Sequence, residues 1–118
     1  MEGGNLAKQL MVDLYGCDRG VLNDAEAIRK IAKEIVESIG AKIVEEQLHL
    51  FEPIGITYFA IISTSHCSIH TWPEHGYCAV DLFSCSPLEE ERIARSLSEY
   101  FHANESKSQT VERRISAE

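Results

Sequence analysis

Apolar and polar positions repeat along this chain in two different periods, and each change of period marks an element. Leu10-Met-Val-Asp-Leu-Tyr15, within Leu6 to Tyr15, reads as a first strand, and Gly16-Cys-Asp-Arg-Gly20 breaks it. A helix then follows, with Asn23 expected as its cap and Glu26 as the reciprocal partner. Ile28, Ile31, Ala32, Ile35, Val36 and Ile39 fall on one stripe of that helix, and Gly40 ends it in the C′ position. Arg29, Lys30, Lys33, Glu34 and Glu37 form its solvated face. Ala41 to Phe51 alternates as a strand, Pro53-Ile-Gly55 turns the chain, and Thr57 to Ile62 is a strongly apolar strand. So short a link makes these two strands antiparallel neighbours. Tyr77 to Phe83 is a further strand. Ser86, Pro87 and Glu89 predict a second helix start, with Ile93, Leu97, Tyr100 and Phe101 as the buried face. Asn104 to Gln109 reads as polar connecting chain, Thr110-Val-Glu112 as a short edge strand, and Arg113 to Glu118 as a frayed tail.

This order predicts an α+β fold: one antiparallel sheet with two helices packed on one face. The other sheet face is then apolar and uncovered. It calls for the sheet of a second copy, giving a sandwich in a homodimer.

At 118 residues the chain makes a single domain, residues 1–118, with enough length for a core. Nineteen acidic residues against eleven basic ones leave a net charge of −8, which argues against nucleic acid and anionic membranes as partners. The opening Met-Glu-Gly-Gly-Asn has no basic leader pattern, and no apolar run is long enough to span a bilayer. A cytoplasmic protein is expected. The four cysteines contain no CxxC pair, and Cys17, Cys67 and Cys78 read as free, mostly buried thiols.

Chemistry concentrates between Ser63 and Cys85. Those 23 residues hold three of five histidines, three of four cysteines and the only tryptophan. Strand patterns at both ends, with Pro73 and Gly76 between, put these side chains on adjacent strands of one sheet. His66 and His70 lie on one strand about 13 Å apart, too far to share an ion, so no metal is expected. A Cys–His hydrolase is left open by the residues alone.

The segment Ser63-x-Ser65-His66-x-Ser68-Ile69-His70-Thr71-Trp72-Pro73-Glu74-His75-Gly76-Tyr77, followed by Val80-Asp-Leu-Phe-Ser-Cys85, resembles the self-processing segment of the small prokaryotic S-adenosylmethionine decarboxylases. Weaker similarity runs through Leu14-Tyr-Gly-Cys-Asp18, the first helix and Phe51-x-Pro-x-Gly55. The resemblance implies the sheet-and-two-helix fold, dimerised with active sites near the interface. It implies that Ser65 attacks the carbonyl of Thr64, moving the acyl group from nitrogen to oxygen. Elimination then cuts the chain into residues 1–64 and 65–118 and turns Ser65 into a pyruvoyl group. That group would accept the substrate's amine and act as an electron sink for loss of CO2. Cys85 would return a proton to the α-carbon, and His70 would handle protons during elimination. Thr57 matches a hydroxyl that supports processing, Phe51 an aromatic that stacks on adenine, and Glu74 a carboxylate that holds the ribose hydroxyls.

The chain departs from the family pattern at Thr64, where relatives often carry glutamate, at Ala7-Lys8-Gln9, and at Val111-Glu-Arg-Arg-Ile115. Two alternatives accompany the S-adenosylmethionine reading. One is a pyruvoyl-dependent arginine or ornithine decarboxylase of the same fold; the other is an uncleaved, inactive paralogue that serves as a binding subunit.

Overall fold

The computed structural model of the protein describes residues 6–116. Six strands form a single sheet: β1 (Leu6–Tyr15), β2 (Ile43–Leu50), β3 (Ile56–Ile62), β4 (Ser65–Trp72), β5 (Tyr77–Ser84) and β6 (Glu105–Arg114). Their order is β2-β3-β4-β5-β1-β6, and every neighbouring pair is antiparallel. Helices α1 (Arg19–Leu22), α2 (Ala25–Ser38) and α3 (Glu90–Phe101) complete the fold, so the α+β layer expected from the sequence is the observed one.

The period-2 pattern decides which side of the sheet is core. On β3, Ile56, Tyr58, Ala60 and Ile62 are buried, while Phe59 and Ile61 are exposed. Leu10, Val12 and Leu14 of β1 and Val80 and Leu82 of β5 join the same core. The apolar stripes of α2 (Ile28, Ile31, Ile35) and α3 (Ile93, Leu97, Phe101) cover it. Tyr58 keeps its hydroxyl satisfied inside by donating to Glu46 Oε2 at 2.6 Å, and Glu46 pairs with Arg29 of α2 at 3.5 Å. Phe59, Ile61, Trp72 and Val111 remain exposed on or beside the opposite face.

Two local expectations are corrected. Asp24, not Asn23, caps α2, its carboxylate accepting from the amides of Glu26 and Ala27. Asn23 instead closes α1, a short helix capped by Asp18, and accepts from Gly55 N at 2.9 Å. The second long helix starts at Glu90 rather than at Ser86, because the Ser86 hydroxyl is drawn to Ser84 at 2.7 Å. Glu90 anchors this end by accepting from Ser108 and Thr110, hydroxyls that also hold its carboxyl below the usual carboxylate range.

Residues 105–114 form the largest departure. Residues 105–109, read as connecting chain, join the expected edge strand Thr110–Glu112 in one long strand that pairs with all of β1, from Leu6↔Arg114 to Tyr15↔Glu105. An edge strand needs backbone partners on one side only, and charged side chains suit its open edge. The fraying expected from Arg113 onward is not observed at Arg113 and Arg114, which pair with β1, and residues 117–118, like 1–5, lie outside the described residues.

Candidate active site

Strands β3 and β4 are joined by Ser63 and Thr64 alone, with Ile62 paired to Ser65. Two-residue hairpins favour positive-φ residues such as Gly or Asn in the turn. Neither is present, and the positive φ falls on Ser65, at 151°. A non-glycine residue held there carries strain of about 1–3 kcal/mol unless its surroundings enforce the conformation.

The surroundings do enforce it. Ser63 is tied to Lys42 in both directions, its amide donating to Lys42 O at 2.8 Å and its hydroxyl accepting from Lys42 N at 3.0 Å. The Thr64 carbonyl accepts from the amide of Cys85 at 3.3 Å, and the Thr64 hydroxyl accepts from Ser84 Oγ at 2.9 Å. In register, Ser65 pairs with Ser84, so Thr64, Ser65 and Cys85 meet where β4 begins and β5 ends. Cys85 lines a cavity of about 220 Å³ with Leu6, Lys8, Ser84, Ser86 and Pro87.

A second group gathers elsewhere on the sheet. Thr57 and His70 are register partners on β3 and β4, with Thr57 Oγ1 3.2 Å from His70 Nδ1. They line a cavity of about 240 Å³ together with Phe51, Ile54, Trp72 and Glu74. The 51–55 loop is shaped by the Phe51 amide donating to Gly55 O at 2.8 Å, with Gly55 at φ 111°, a conformation glycine accommodates. Glu74 sits in the 3-10 turn Pro73–His75.

The structure thus brings Phe51, Thr57, His70 and Glu74 together, and separately Thr64, Ser65 and Cys85. It does not bring the two groups to each other within the chain. Ser65 and His70 are five residues apart on one straight strand, which is about 16 Å. His66, next to Ser65, stacks between Phe59 at 5.3 Å and Phe83 at 5.7 Å.

The remaining thiols are structural. Burial pushes Cys17 up to about 11, Cys67 up to about 12 and Cys78 well above its ordinary range, so all three stay neutral thiols at physiological pH. A larger cavity of about 610 Å³ lies between α2 and β2, but Arg29, Lys33, Lys42 and Glu46 line it, and no serine, threonine, cysteine or histidine does.

A family described as S-adenosylmethionine decarboxylase matches residues 8–114 of the chain. The chain belongs to the S-adenosylmethionine decarboxylase family. It is 48% identical over 80 residues to the S-adenosylmethionine decarboxylase proenzyme of Caldicellulosiruptor saccharolyticus, covering 68% of this chain and 64% of that protein. The corresponding proenzyme of Clostridium tetani is 46% identical over 81 residues, covering 69% and 64%. That of Methanococcus maripaludis is 42% identical over 80 residues, covering 68% and 66%. The chain therefore spans just under two thirds of the length of these curated relatives. The crystal structure of the adenosylmethionine decarboxylase from Aquifex aeolicus superposes with a TM-score of 0.84 at 30% identity, covering 97% of this chain and 95% of that one.

Within this family frame, two residues of the site escaped sequence reasoning. Trp72 walls the His70 cavity and also a neighbouring one, of about 440 Å³, formed with Tyr15, His75 and Tyr77. As the chain's lone tryptophan in the densest segment it carried a signal. Ser84 carried none, since a serine beside a cysteine has no distinctive pattern.

Proposed function

We propose that this chain cuts itself between Thr64 and Ser65 and then acts as a pyruvoyl-dependent decarboxylase of S-adenosylmethionine, providing aminopropyl groups for polyamine synthesis in the cytoplasm. The observation that carries the reading is the Thr64–Ser65 peptide: a strained serine follows a carbonyl that already accepts an amide hydrogen bond.

Cleavage uses the chain's own atoms. Ser65 Oγ adds to the Thr64 carbonyl carbon, and negative charge develops on the oxygen that the Cys85 amide faces. The carbon–nitrogen bond breaks, leaving an ester and a free amine on Ser65. A base then removes the Ser65 α-proton, the Cβ–O bond breaks, and Thr64 leaves as a carboxylate. Water replaces the nitrogen of residue 65, ammonia departs, and a ketone remains. The residues present fit this group, since the hydroxyl and the polarised carbonyl needed to make it are adjacent. When formed, the pyruvoyl group supplies the carbonyl that takes the substrate's amine and draws in electrons as CO2 leaves.

The other residues bind and move protons. Cys85, whose amide bonds the Thr64 carbonyl and whose side chain lines a cavity, returns a proton to the substrate's α-carbon in this reading. Phe51 offers a face for adenine and Glu74 an acceptor for ribose hydroxyls, and their shared cavity favours the nucleoside substrate over arginine or ornithine. Retention of Ser65, His70 and Cys85 together argues against an inactive binding subunit.

The roughly 16 Å between Ser65 and His70 supports a homodimer with composite sites. A second copy facing the exposed Phe59, Ile61 and Trp72 would cover that apolar surface. It would also set the His70 cavity of one protomer beside Ser65 and Cys85 of its partner.

Intact mass of purified protein, with CO2 release from labelled S-adenosylmethionine, arginine and ornithine, tests the reading. Two fragments, 1–64 and 65–118, are expected, the second lacking a free amine and reacting with carbonyl reagents. A single 118-residue species after long incubation overturns self-cleavage. Turnover of arginine or ornithine without S-adenosylmethionine overturns the substrate. Glu74→Gln should be cut normally yet turn over S-adenosylmethionine about 10- to 100-fold less efficiently, the scale of one hydrogen bond to a charged group.

A further inference from the structure

Ser84 is fully buried at the end of β5, and its single hydroxyl is the centre of a small polar cluster. It donates to Thr64 Oγ1 at 2.9 Å, in the turn that leads into the neighbouring strand. It accepts from the Ser86 amide at 3.0 Å. Ser86 Oγ lies 2.7 Å away. A serine hydroxyl has one proton, and here Thr64 receives it. The Ser86 hydroxyl must therefore donate to Ser84, which fixes the direction of the chain as Ser86 to Ser84 to Thr64.

The contact with Ser86 is local and serves the turn after β5. The contact with Thr64 has another consequence. Ser84 and Cys85 are consecutive, and between them they grip Thr64 at two points: Ser84 takes the side chain and the Cys85 amide takes the carbonyl. Two fixed points on one residue leave its peptide plane little freedom. The next residue is Ser65, whose φ of 151° persists only where the flanking chain is held. A free Thr64 side chain would let the 64–65 peptide rotate and relax that strain.

We infer that Ser84 is a positioning residue for self-cleavage, holding Thr64 by its hydroxyl so that the strained Ser65 stays aligned with the Thr64 carbonyl. This rests on the self-cleavage reading above. Ser84 touches neither reacting atom and acts through Thr64. The inference also assigns a use to the threonine that stands where relatives often carry glutamate: its hydroxyl accepts the proton that Ser84 offers.

The test follows cleavage over time by intact mass after rapid cell-free synthesis, for wild type, Ser84→Ala, Thr64→Val, Thr64→Ser and the double variant Ser84→Ala/Thr64→Val. Ser84→Ala and Thr64→Val should each slow cleavage by about five- to tenfold, the scale of one neutral hydrogen bond. The double variant should be no slower than either single one, because both remove the same contact. Thr64→Ser, which restores the acceptor without the methyl group, should cleave at nearly the wild-type rate. Thr64→Val keeps Ser84 in place and so tests the contact even if Ser84→Ala does not fold. Wild type that cleaves, with Thr64→Val cleaving equally fast, overturns the positioning role alone. Additive slowing in the double variant overturns it too, since the two residues would then act separately. Wild type that stays whole overturns the self-cleavage reading and this inference with it.

Discussion

Thr57 Oγ1 stands 3.2 Å from His70 Nδ1 across paired strands, so one ring nitrogen of His70 is engaged by a hydroxyl and the other is left for chemistry. If Nδ1 carries the proton and donates to Thr57, the remaining nitrogen is unprotonated and able to act as a base. That is the state the proposed elimination at Ser65 would require. His70→Ala should therefore allow the acyl shift but stall before elimination, slowing chain release by about 10²–10⁴-fold. The stalled species should have the mass of the intact chain and be cut by hydroxylamine. Thr57→Val should slow release by only about tenfold, since it removes one hydrogen bond and leaves the imidazole. Rapid, complete cleavage of His70→Ala would remove His70 from the process.

Cys85 has two separable parts. Its amide faces the Thr64 carbonyl, and its side chain lines the adjoining cavity. Cys85→Ala keeps the amide and deletes the thiol. It should process at close to the wild-type rate and then lose about 10²–10⁴-fold in decarboxylation, the contribution of a general acid. Normal turnover by Cys85→Ala would show that another group delivers the proton.

The sheet, the two long helices and the clustering of reactive side chains were legible because each rests on periodicity. Alternate burial along β3 and the stripe of α2 are plain in the residues themselves. The failures share a different cause. Residues 105–109 look like a linker because β6 gains its stability from backbone pairing with β1, and no apolar side chain among them announces that. The Ser86 cap was locally sound, but Ser84 competes for the same hydroxyl from two residues away. The site was legible as a set of residues and not as an arrangement. Sequence puts Ser65 and His70 in one short segment, while extended geometry at about 3.3 Å per residue holds them apart.

Buried acids govern behaviour at high pH. Burial raises Cys17 to about 11 and Cys67 to about 12, and burial with the Glu46 contact raises Tyr58 further. A group whose folded pKa lies above its unfolded one stabilises fully below the unfolded value. That stability is lost as pH rises through the folded value. For the thiols the window opens near 9, their ordinary value, and extends to about 12. Denaturant midpoints should thus be flat from pH 7 to 8.5 and fall steadily above pH 9. Cys67→Ala should shallow that fall. A midpoint independent of pH between 8 and 11 would contradict it.

Composite sites make a prediction that a site confined to one chain does not. A Ser65→Ala chain cannot be cut itself, but its His70 is intact. A His70→Ala chain has an intact Ser65 but lacks the base. Expressed alone, each should accumulate as uncut protein. Expressed together they should pair, and in the mixed dimer the proposed arrangement sets the His70 of the first chain beside the Ser65 of the second. Random pairing of equal amounts puts about half of all chains in mixed dimers, so about half of the His70→Ala chains should be cleaved. The Ser65→Ala chains should stay whole throughout. Carboxy-terminal tags of different mass on the two chains let one spectrum read both. Mixing purified, already-formed homodimers should give cleavage only as subunits exchange, which ties rescue to the interface. If the two chains co-purify as mixed dimers and the His70→Ala chains remain uncut, each site uses its own histidine, and the strand between Ser65 and His70 would have to bend by more than 10 Å to bring them together.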